Sequence, residues 1–277
     1  MKTIGEVLKL STQFLKEKGL ERARRLSEEL LAGALSVKRM DLYLQFDRPV
    51  DEAELVQLRG WIKRCAVGEP LEYVLGEVEF AQCRIAVDSR VLIPRQETEI
   101  LVDLVVKALK DGPLEGKVLW DLCTGSGCLG LALKKALPSL RVVLSDSSAE
   151  ALSLAQKNAQ KNGLDVEFRA GDLLAPFQNE RADFVVCNPP YVAASEYLNL
   201  QPSVREFEPK SALVGGERGT EFYERLASEL PAHLNPGARV FFEIGAEQGE
   251  SLKKIFGEGQ VQKDWADKDR FFFLEKQ

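Results

Sequence analysis

The segment from Lys117 to Gly130 reads KVLWDLCTGSGCLG, and its pattern points to the fold class of the chain. A predicted apolar strand runs into a loop with two glycines, and a predicted helix runs out of it. Glycines let the backbone turn sharply and approach a ligand closely at a helix N-terminus. Gly125, Gly127 and Gly130 also satisfy the G-x-G-x-x-G pattern of dinucleotide-binding folds. The segment therefore predicts the first strand, loop and helix of an α/β fold.

Strands and helices alternate from about residue 96 to the end of the chain. This alternation predicts an α/β class with a Rossmann-like, mostly parallel sheet and helices on both of its faces. Ligands of such sheets bind beyond the carboxyl ends of the strands, so residues directly after strands are the candidate site residues. The strands are predicted over 117–122, 141–144, 165–169, 182–187, 239–244, around Val261 and over 270–274.

The N-terminal part of the chain has a helical pattern instead. Thr3 with Glu6, and Asp51 with Glu54, match the capping box that starts a helix. This part carries no evident chemistry, so from the residues alone a partner-docking role and a purely structural role both stay open. Apolar residues between 77 and 93 then predict the strands of a hairpin. The expected organisation is a helical domain (1–75), a hairpin linker (76–95) and an α/β domain (96–277).

Composition excludes several classes of protein. Of 277 residues, 45% are hydrophobic, and 37 basic against 43 acidic residues give a formal net charge of −6. That mixture predicts a soluble globular protein, and the acidic balance argues against direct nucleic-acid binding as its main task. We expect no membrane partner, because no apolar run reaches the roughly 18 residues that span a bilayer. The first ten residues contain Lys2, Glu6 and Lys9, unlike a signal peptide.

Histidine and cysteine usage narrows the chemistry further. The single histidine, His233, would have to carry any Ser-His-Asp triad or paired-histidine zinc site alone, so we expect neither and no metal. The five cysteines are an odd number and form no C-x-x-C pair. This usage is typical of reduced thiols and predicts a cytoplasmic protein.

Asp146 is a second candidate site residue, because it directly follows the next predicted strand. A carboxylate at that position can accept hydrogen bonds from both ribose hydroxyls of an adenosine. It could equally cap the helix that follows. The glycine loop and Asp146 together predict an adenosine-containing cofactor, and both a nicotinamide dinucleotide and S-adenosylmethionine fit.

The sequence Asn188-Pro189-Pro190-Tyr191 follows the strand predicted over 182–187 and favours S-adenosylmethionine. These residues suit methylation of a planar nitrogen, which is a poor nucleophile because its lone pair is delocalised. The Asn188 carboxamide oxygen and the Pro189 carbonyl can each accept one hydrogen of an NH₂ group, and Tyr191 can stack on the planar group. Such positioning is worth roughly 7–11 kcal/mol of the barrier. No strong general base is needed, because the methylated nitrogen loses its proton readily.

With these motifs in order, the chain resembles the release factor glutamine methyltransferases over nearly its whole length. Several short segments in one order are far more specific than any of them alone. The segments that carry the resemblance are Gly68–Gly76, Val91–Glu99, Asp121–Gly130, Asn188–Tyr191, Glu208–Pro209 with Ala212–Leu213 and Gly215–Gly216, and Phe242–Gly245 with Gln248–Gly249.

The resemblance implies a fold, a reaction and a partner. Members of this family have a helical N-terminal domain, a hairpin linker and a Rossmann-like S-adenosylmethionine domain. They methylate the side-chain amide of the glutamine in the Gly-Gly-Gln motif of peptide chain release factors and leave S-adenosylhomocysteine as product. Their N-terminal domain is thought to help dock that substrate, which gives residues 1–75 the same expected role.

The resemblance also assigns site residues. The methionine end of the cofactor would be lined by Cys123, Thr124, Gly125, Ser126 and Gly127, its ribose would contact Asp146, its adenine would be bordered by Asp172 and Leu173, and Asn188 would also contact the cofactor. The substrate glutamine would be held by the catalytic residues Asn188, Pro189, Pro190 and Tyr191, with Arg95, Glu97 and Glu99 close by.

Three places in the chain depart from the family pattern. Gln96 stands where proline is common, and Glu217-Arg218 stands where Asp-Gly usually follows the Gly-Gly pair. The pair Asp172-Leu173 lacks the aromatic residue that some members have beside adenine.

Three other functions share part of the pattern. A related group with Asn-Pro-Pro-Tyr modifies a glutamine of a large-subunit ribosomal protein, but it lacks the Pro-Arg-x-Glu-Thr-Glu segment present here over 94–99. DNA adenine methyltransferases methylate a similar amine, yet they need a basic DNA-reading region. A nicotinamide oxidoreductase would leave Asn188–Tyr191 unexplained.

Overall fold

The computed structural model describes residues 1–276, and the chain divides into two compact units. The first unit contains Met1–Gly76 together with Pro202–Phe207. The second unit contains Glu77–Gln201 and the chain from Glu208 onward. The short segment at 202–207 thus groups with the N-terminal helices, although its position in the sequence lies within the expected α/β domain.

Helices and strands are numbered in chain order over the described residues. The helices are α1 (Ile4–Glu17), α2 (Ala23–Ala34), α3 (Asp41–Leu44), α4 (Glu52–Ala66), α5 (Leu71–Leu75), α6 (Gln96–Leu109), α7 (Cys128–Ala136), α8 (Ala149–Asn162), α9 (Pro202–Phe207), α10 (Glu221–His233) and α11 (Gly249–Phe256). The strands are β1 (Glu77–Phe80), β2 (Cys83–Ala86), β3 (Val118–Leu122), β4 (Arg141–Asp146), β5 (Glu167–Ala170), β6 (Ala182–Cys187), β7 (Val192–Ala193), β8 (Val214–Gly216), β9 (Leu234–Glu243), β10 (Gln260–Lys263) and β11 (Asp269–Glu275).

The first unit is a helical bundle with its own apolar core. Ile4, Leu8 and Leu15 lie on one face of α1 and are completely buried. Capping boxes start both α1 and α4, as the sequence predicts: each cap side chain accepts from the third helical N–H, and the glutamate there accepts from the cap N–H. None of the helices in residues 1–276 is long and apolar enough to cross a membrane.

The second unit is built on a seven-stranded sheet with the order β10-β11-β9-β6-β3-β4-β5. All pairs from β9 to β5 are parallel, and β11 is antiparallel to both of its neighbours. The predicted α/β class with a mostly parallel, Rossmann-like sheet is therefore confirmed. Leu122 at the end of β3 pairs with Ser145 of β4 and with Cys187 of β6. Because β3 lies between β4 and β6, the loops that follow these three strands start side by side.

The hairpin is shorter than the sequence predicts. Strands β1 and β2 pair from Glu77 to Ala86, but the apolar residues Val87, Val91 and Ile93 form no strand. Their side chains are buried all the same. The backbone N–H of Ile93 donates to the buried Glu208 carboxylate at 3.1 Å, so this segment bonds to a side chain instead of a neighbouring strand. The apolar residues of this segment predict a strand, and the prediction is wrong because the chain buries them as a packed loop.

Asn158 on α8 joins the hairpin to the glycine loop. Its Oδ1 accepts from the Ala86 N–H at 2.7 Å, and its Nδ2 donates to the Ala86 carbonyl at 3.0 Å and to the Ser126 carbonyl at 2.9 Å. The side chain is fully buried, so water cannot replace these bonds. One amide therefore fixes both the hairpin and the glycine loop to the same helix.

Replacing Asn158 should destabilise the second unit strongly. Asn158→Ala leaves three backbone groups without this partner, of which the Ser126 carbonyl is buried and the two Ala86 groups are partly buried. A buried group left unsatisfied costs about 1–3 kcal/mol. We expect the free energy of unfolding in urea to fall by at least about 2 kcal/mol. Asn162→Ala is the matched control, since Asn162 bonds Arg84 in the same way from a half-buried position. Equal losses in the two variants would contradict the assigned role of Asn158.

Candidate active site

A pocket lies where β3, β4 and β6 end, and it brings together most of the residues that the sequence predicts for a site. The glycine loop, Asp146 and the start of the Asn-Pro-Pro-Tyr loop form its walls. The predicted site residues that line it are Arg95, Cys123, Thr124, Gly125, Ser126, Asp146, Asn188 and Pro190.

The glycine loop is fixed to the end of β4. The Thr124 N–H donates to the Ser145 carbonyl at 2.9 Å, and the Gly125 N–H donates to the Asp146 carboxylate at 2.8 Å. Gly127 has a φ of +82° and would bring a Cβ to 3.1 Å from the Ala155 and Leu144 side chains. A Cβ on Gly125 would meet nothing within 4 Å. The loop is therefore closely packed at Gly127 and open beside Gly125, where a ligand can approach the backbone.

Asp146 lies at the carboxyl end of β4 and faces the pocket. Its two carboxylate oxygens accept from the backbone N–H groups of Gly125 (2.8 Å) and Ser148 (2.9 Å). Burial raises the pKa of this carboxyl, and the backbone bonds counteract the shift. Ser148, and not Asp146, provides the side-chain cap of α8, by accepting from the Ala151 N–H.

Asp121 is a pocket residue that the site prediction did not include. It is 1% exposed on β3, and its carboxylate accepts from the Thr124 hydroxyl at 2.5 Å and from the Gly130 N–H at 2.9 Å. Burial raises its pKa to about 7. A signal was present in the sequence, since Asp121 is the one charged residue in an otherwise apolar strand that enters the glycine loop.

The Asn-Pro-Pro-Tyr loop packs closely against the Gly215-Gly216 pair. Strand β7 pairs with β8, and the Val192 N–H donates to the Leu213 carbonyl at 2.9 Å. A Cβ on Gly215 would lie 2.2 Å from the Pro190 carbonyl oxygen, so only glycine allows this approach. The pair therefore supports the loop that carries Asn188.

Gln248 braces the same loop from the C-terminal side. Its Nε2 donates to the carbonyls of Tyr191 at 3.0 Å and Gly219 at 3.1 Å, and its Oε1 accepts from the Gly245 N–H at 2.9 Å. The segment after Gly216, where Glu217-Arg218 departs from the family pattern, is thus fixed by the same side chain.

The Asn188 side chain contacts two residues outside the site prediction. Its Nδ2 donates to the Thr98 hydroxyl at 3.4 Å, and that hydroxyl donates to the Glu243 carboxylate at 2.7 Å. Thr98 lies on α6 and Glu243 ends β9, and both are buried. Both lie within the motifs that carry the family resemblance. Thr98 is on a helix and Glu243 falls inside the strand predicted over 239–244, so a rule that selects residues after predicted strands does not find them.

Several other predicted site residues interact with residues that do not line the pocket. Asp172 forms an ion pair with Arg225 at 2.9 Å, and Leu173 lies in the apolar core. Glu99 accepts from the Ala81 N–H at 2.8 Å, which fixes the turn of the hairpin. Arg95 pairs with the buried carboxylate of Glu208. The residues that do not line the pocket are Glu97, Glu99, Gly127, Asp172, Leu173, Pro189 and Tyr191.

Gln96 and the single histidine occupy positions that local structure explains. Gln96 is the first residue of α6, the helical position at which proline is also well accommodated. Nδ1 of His233 lies 3.2 Å from the Glu180 carbonyl oxygen, away from the pocket. Residues 1–276 hold no group of three or more His, Cys, Asp or Glu suited to a metal ion.

Burial of Asp121 should appear in the pH dependence of stability. Its raised pKa means that the folded chain binds this proton more tightly than the unfolded chain, so ionisation destabilises the fold as the pH rises from about 4 to about 7. Asp121→Asn should therefore gain stability relative to the wild type over this range, by up to roughly 4 kcal/mol. Urea unfolding at pH 5 and pH 7.5 measures the difference. Asp183→Asn is the control, because the Asp183 pKa is lowered and the contribution of this carboxylate to stability should be the same at both pH values. A stability difference between Asp121→Asn and the wild type that does not change with pH would contradict the expectation.

Comparison with known proteins places this arrangement in a family. Residues 6–76 match the PrmC N-terminal domain, and residues 95–203 match the Methyltransferase small domain. A solved 16S rRNA N2 G1207 methyltransferase of T. thermophilus, in complex with AdoMet and guanosine, shares the fold with a TM-score of 0.54 at 18% identity, over 73% of this chain and 50% of that one.

Two relatives are similar over almost the whole chain. A release factor glutamine methyltransferase of Geobacter sulfurreducens is 42% identical over 254 residues, 92% of this chain and 88% of that protein. One of Chlamydia trachomatis serovar D is 41% identical over 278 residues, 98% of this chain and 94% of that protein. With its methyltransferase fold and its pocket between the glycine loop and Asn188, the chain belongs to the release factor glutamine methyltransferase family.

Proposed function

We propose that this protein transfers a methyl group from S-adenosylmethionine to the side-chain amide nitrogen of the glutamine in the Gly-Gly-Gln motif of a peptide chain release factor. One observation carries the proposal. Asn188, a residue suited to hold a planar NH₂ group, lines the same pocket as the glycine loop and Asp146. The names of the relatives in two bacteria agree with this substrate.

The residues of the pocket fit the proposed cofactor. The space beside Gly125 leaves room for a ligand against the backbone. The Asp146 carboxylate can accept from ribose hydroxyls, and the Asp121 carboxylate is a second acceptor that lines the pocket. S-adenosylmethionine would supply an electrophilic methyl group on a sulfonium. We assign its binding to Cys123–Gly127, Asp146 and Asn188, with Asp172 and Leu173 on the adenine side.

The protein contributes orientation to the reaction. The Asn188 Oδ1 and the Pro189 carbonyl would each accept one hydrogen of the glutamine amide, and Tyr191 would pack on its plane. Accepting these hydrogens favours the positive charge that grows on the nitrogen during attack. Burial raises the pKa of the Tyr191 phenol to about 12, so this ring stays neutral beside the glutamine. No group in this set has to remove a proton before the methyl transfer.

Further roles in substrate binding belong to the same proposal. Arg95, held by Glu208, would contact the backbone or flanking residues of the release factor, with Glu97 and Glu99 nearby. Residues 1–75 would help dock that protein, and the reaction would occur in the cytoplasm, where release factors act.

A methyl-transfer assay with labelled S-adenosylmethionine tests the function. The acceptors are a purified release factor, the same factor with its Gly-Gly-Gln glutamine replaced, a large-subunit ribosomal protein and duplex DNA, with mass spectrometry to locate the methyl group. We expect label on that glutamine alone. Label on the ribosomal protein or on DNA, with none on the release factor, would overturn the proposed substrate.

Asn188→Ala should separate chemistry from cofactor binding. It removes one acceptor for the amide hydrogens, and a hydrogen bond to a charged group is worth about 1.5–3 kcal/mol. We expect turnover to fall about tenfold or more, and by a larger factor than the S-adenosylmethionine Kd rises when it is measured by calorimetry. Normal turnover in this variant would show that Asn188 does not hold the glutamine.

Asp146→Ala should have the opposite signature. It removes the acceptor for two ribose hydroxyls, so we expect the S-adenosylmethionine Kd to rise by at least about tenfold. It also removes the acceptor for the Gly125 N–H, so circular dichroism and Asp146→Asn are needed to show that the fold is kept. An unchanged Kd in both variants would remove Asp146 from the cofactor site.

A further inference from the structure

Asn188 can hold a glutamine amide only if its own amide has one particular orientation. The Oδ1 must face the substrate NH₂, because a carboxamide turned by 180° would present Nδ2 hydrogens to the substrate hydrogens. The two orientations have nearly the same shape, so steric packing does not distinguish them. A hydrogen-bond partner that can only accept is needed on the Nδ2 side.

The structure contains such a partner in Glu243, which is linked to Asn188 by the hydroxyl of Thr98; we call these three residues the relay. The carboxylate of Glu243 accepts a hydrogen bond from the Thr98 hydroxyl, with 2.7 Å between the two oxygens. With that proton committed, the Thr98 oxygen is left as an acceptor toward Asn188, whose Nδ2 lies 3.4 Å away. An ionised carboxylate has no proton to donate, so it fixes the direction of both bonds.

We infer that Glu243, through Thr98 and through its own hydrogen bond with Asn188, is a positioning residue that fixes the Asn188 amide with its Oδ1 toward the substrate. The inference rests on the proposed function in one respect, that the occupant of the pocket presents an NH₂ group. Thr98 lines the pocket, whereas Glu243 does not, so Glu243 acts on the substrate only through Thr98 and Asn188.

The surroundings of Glu243 make its charge depend on pH near neutrality. Burial raises the pKa of this carboxyl to about 7, and Glu97 on α6 adds to the shift. The Thr98 and Asn188 hydrogen bonds and Arg270 on β11 counteract it. The phenols of Tyr191 and of Tyr223 on α10 also face it, and the Tyr223 hydroxyl donates to the Glu243 main-chain carbonyl at 2.7 Å.

Protonation of Glu243 would remove the constraint on the orientation of the Asn188 amide. A protonated carboxyl can donate to the Thr98 oxygen, which then is free to donate toward Asn188, and both amide orientations become acceptable. Because the pKa is raised to about 7, the acceptor-only form is lost as the pH falls through about 7. The orientation of Asn188, and with it turnover, should therefore decline on the acid side of neutrality.

Glu243→Gln is the direct test, since it keeps the volume but removes the obligate acceptor. We expect kcat for release factor methylation to fall about tenfold or more, with the S-adenosylmethionine Kd little changed. Thr98→Val, which removes one of the two connections to Asn188, should reproduce part of this effect, whereas Thr98→Ser, which keeps the hydroxyl, should retain most of the activity. Asp183→Asn, a buried carboxylate at the opposite end of β6, is the control and should leave kcat unchanged.

The side-chain amide resonance of Asn188 gives a readout that does not need a substrate. In the ¹⁵N spectrum of the full chain, assigned with Asn188→Ala, we expect this resonance to titrate with a midpoint near pH 7 and to stop titrating in Glu243→Gln. The titration should persist in Asp121→Asn, which removes the other buried carboxyl that ionises in this range.

The outcomes separate the two proposals. Wild-type kcat in Glu243→Gln, or an Asn188 resonance that still titrates in that variant, would overturn the role of Glu243. A wild-type protein that fails to methylate the release factor, while its Asn188 resonance titrates as described, would overturn the substrate and leave the relay standing.

Discussion

The parallel pairing of β3 with both β4 and β6 is the constraint on which the site depends. Parallel strands end at the same edge of a sheet, so pairing of Leu122 with both Ser145 and Cys187 brings the three following loops together. The glycine loop, Asp146 and Asn188 are separated by about 20 to 65 residues in sequence but line one pocket because of this register. A shift of one residue in either pairing would move the side chains that face the pocket to the other face.

The second feature of the site is the set of contacts that hold its loops in place. Gln248 and the Gly215-Gly216 pair fix the backbone after Asn188, and Asn158 fixes the backbone of the glycine loop. Two buried carboxyls, Asp121 and Glu243, have pKa values raised to about 7, which means that their ionised forms destabilise the fold at neutral pH. Such groups are typical of sites in which orientation of a ligand matters more than stability.

Much of the site could be predicted from the sequence, because its chemistry follows strand ends. Residues 123–127, Asp146 and Asn188 each come directly after a predicted apolar strand, and the rule for parallel sheets selects them from the sequence. The rule does not find Glu243 or Thr98, since their contribution depends on which side chain lies next to Asn188. Nor does it show that Glu99 bonds the hairpin turn or that Asp172 pairs with Arg225, because both contacts join residues far apart in the chain.

The sequence by itself determined the alternation of strands and helices, the capping boxes that start α1 and α4, and the residue types available for holding an amide. These are local properties, set by hydrophobic period, glycine content and side-chain chemistry over a few residues. The tertiary structure decided that Val87–Ile93 is a packed loop, that Asn158 bridges two loops, and that Glu243 reaches Asn188 through Thr98. Each of these is a hydrogen-bonding choice between segments distant in sequence, and only the folded chain fixes which donor meets which acceptor.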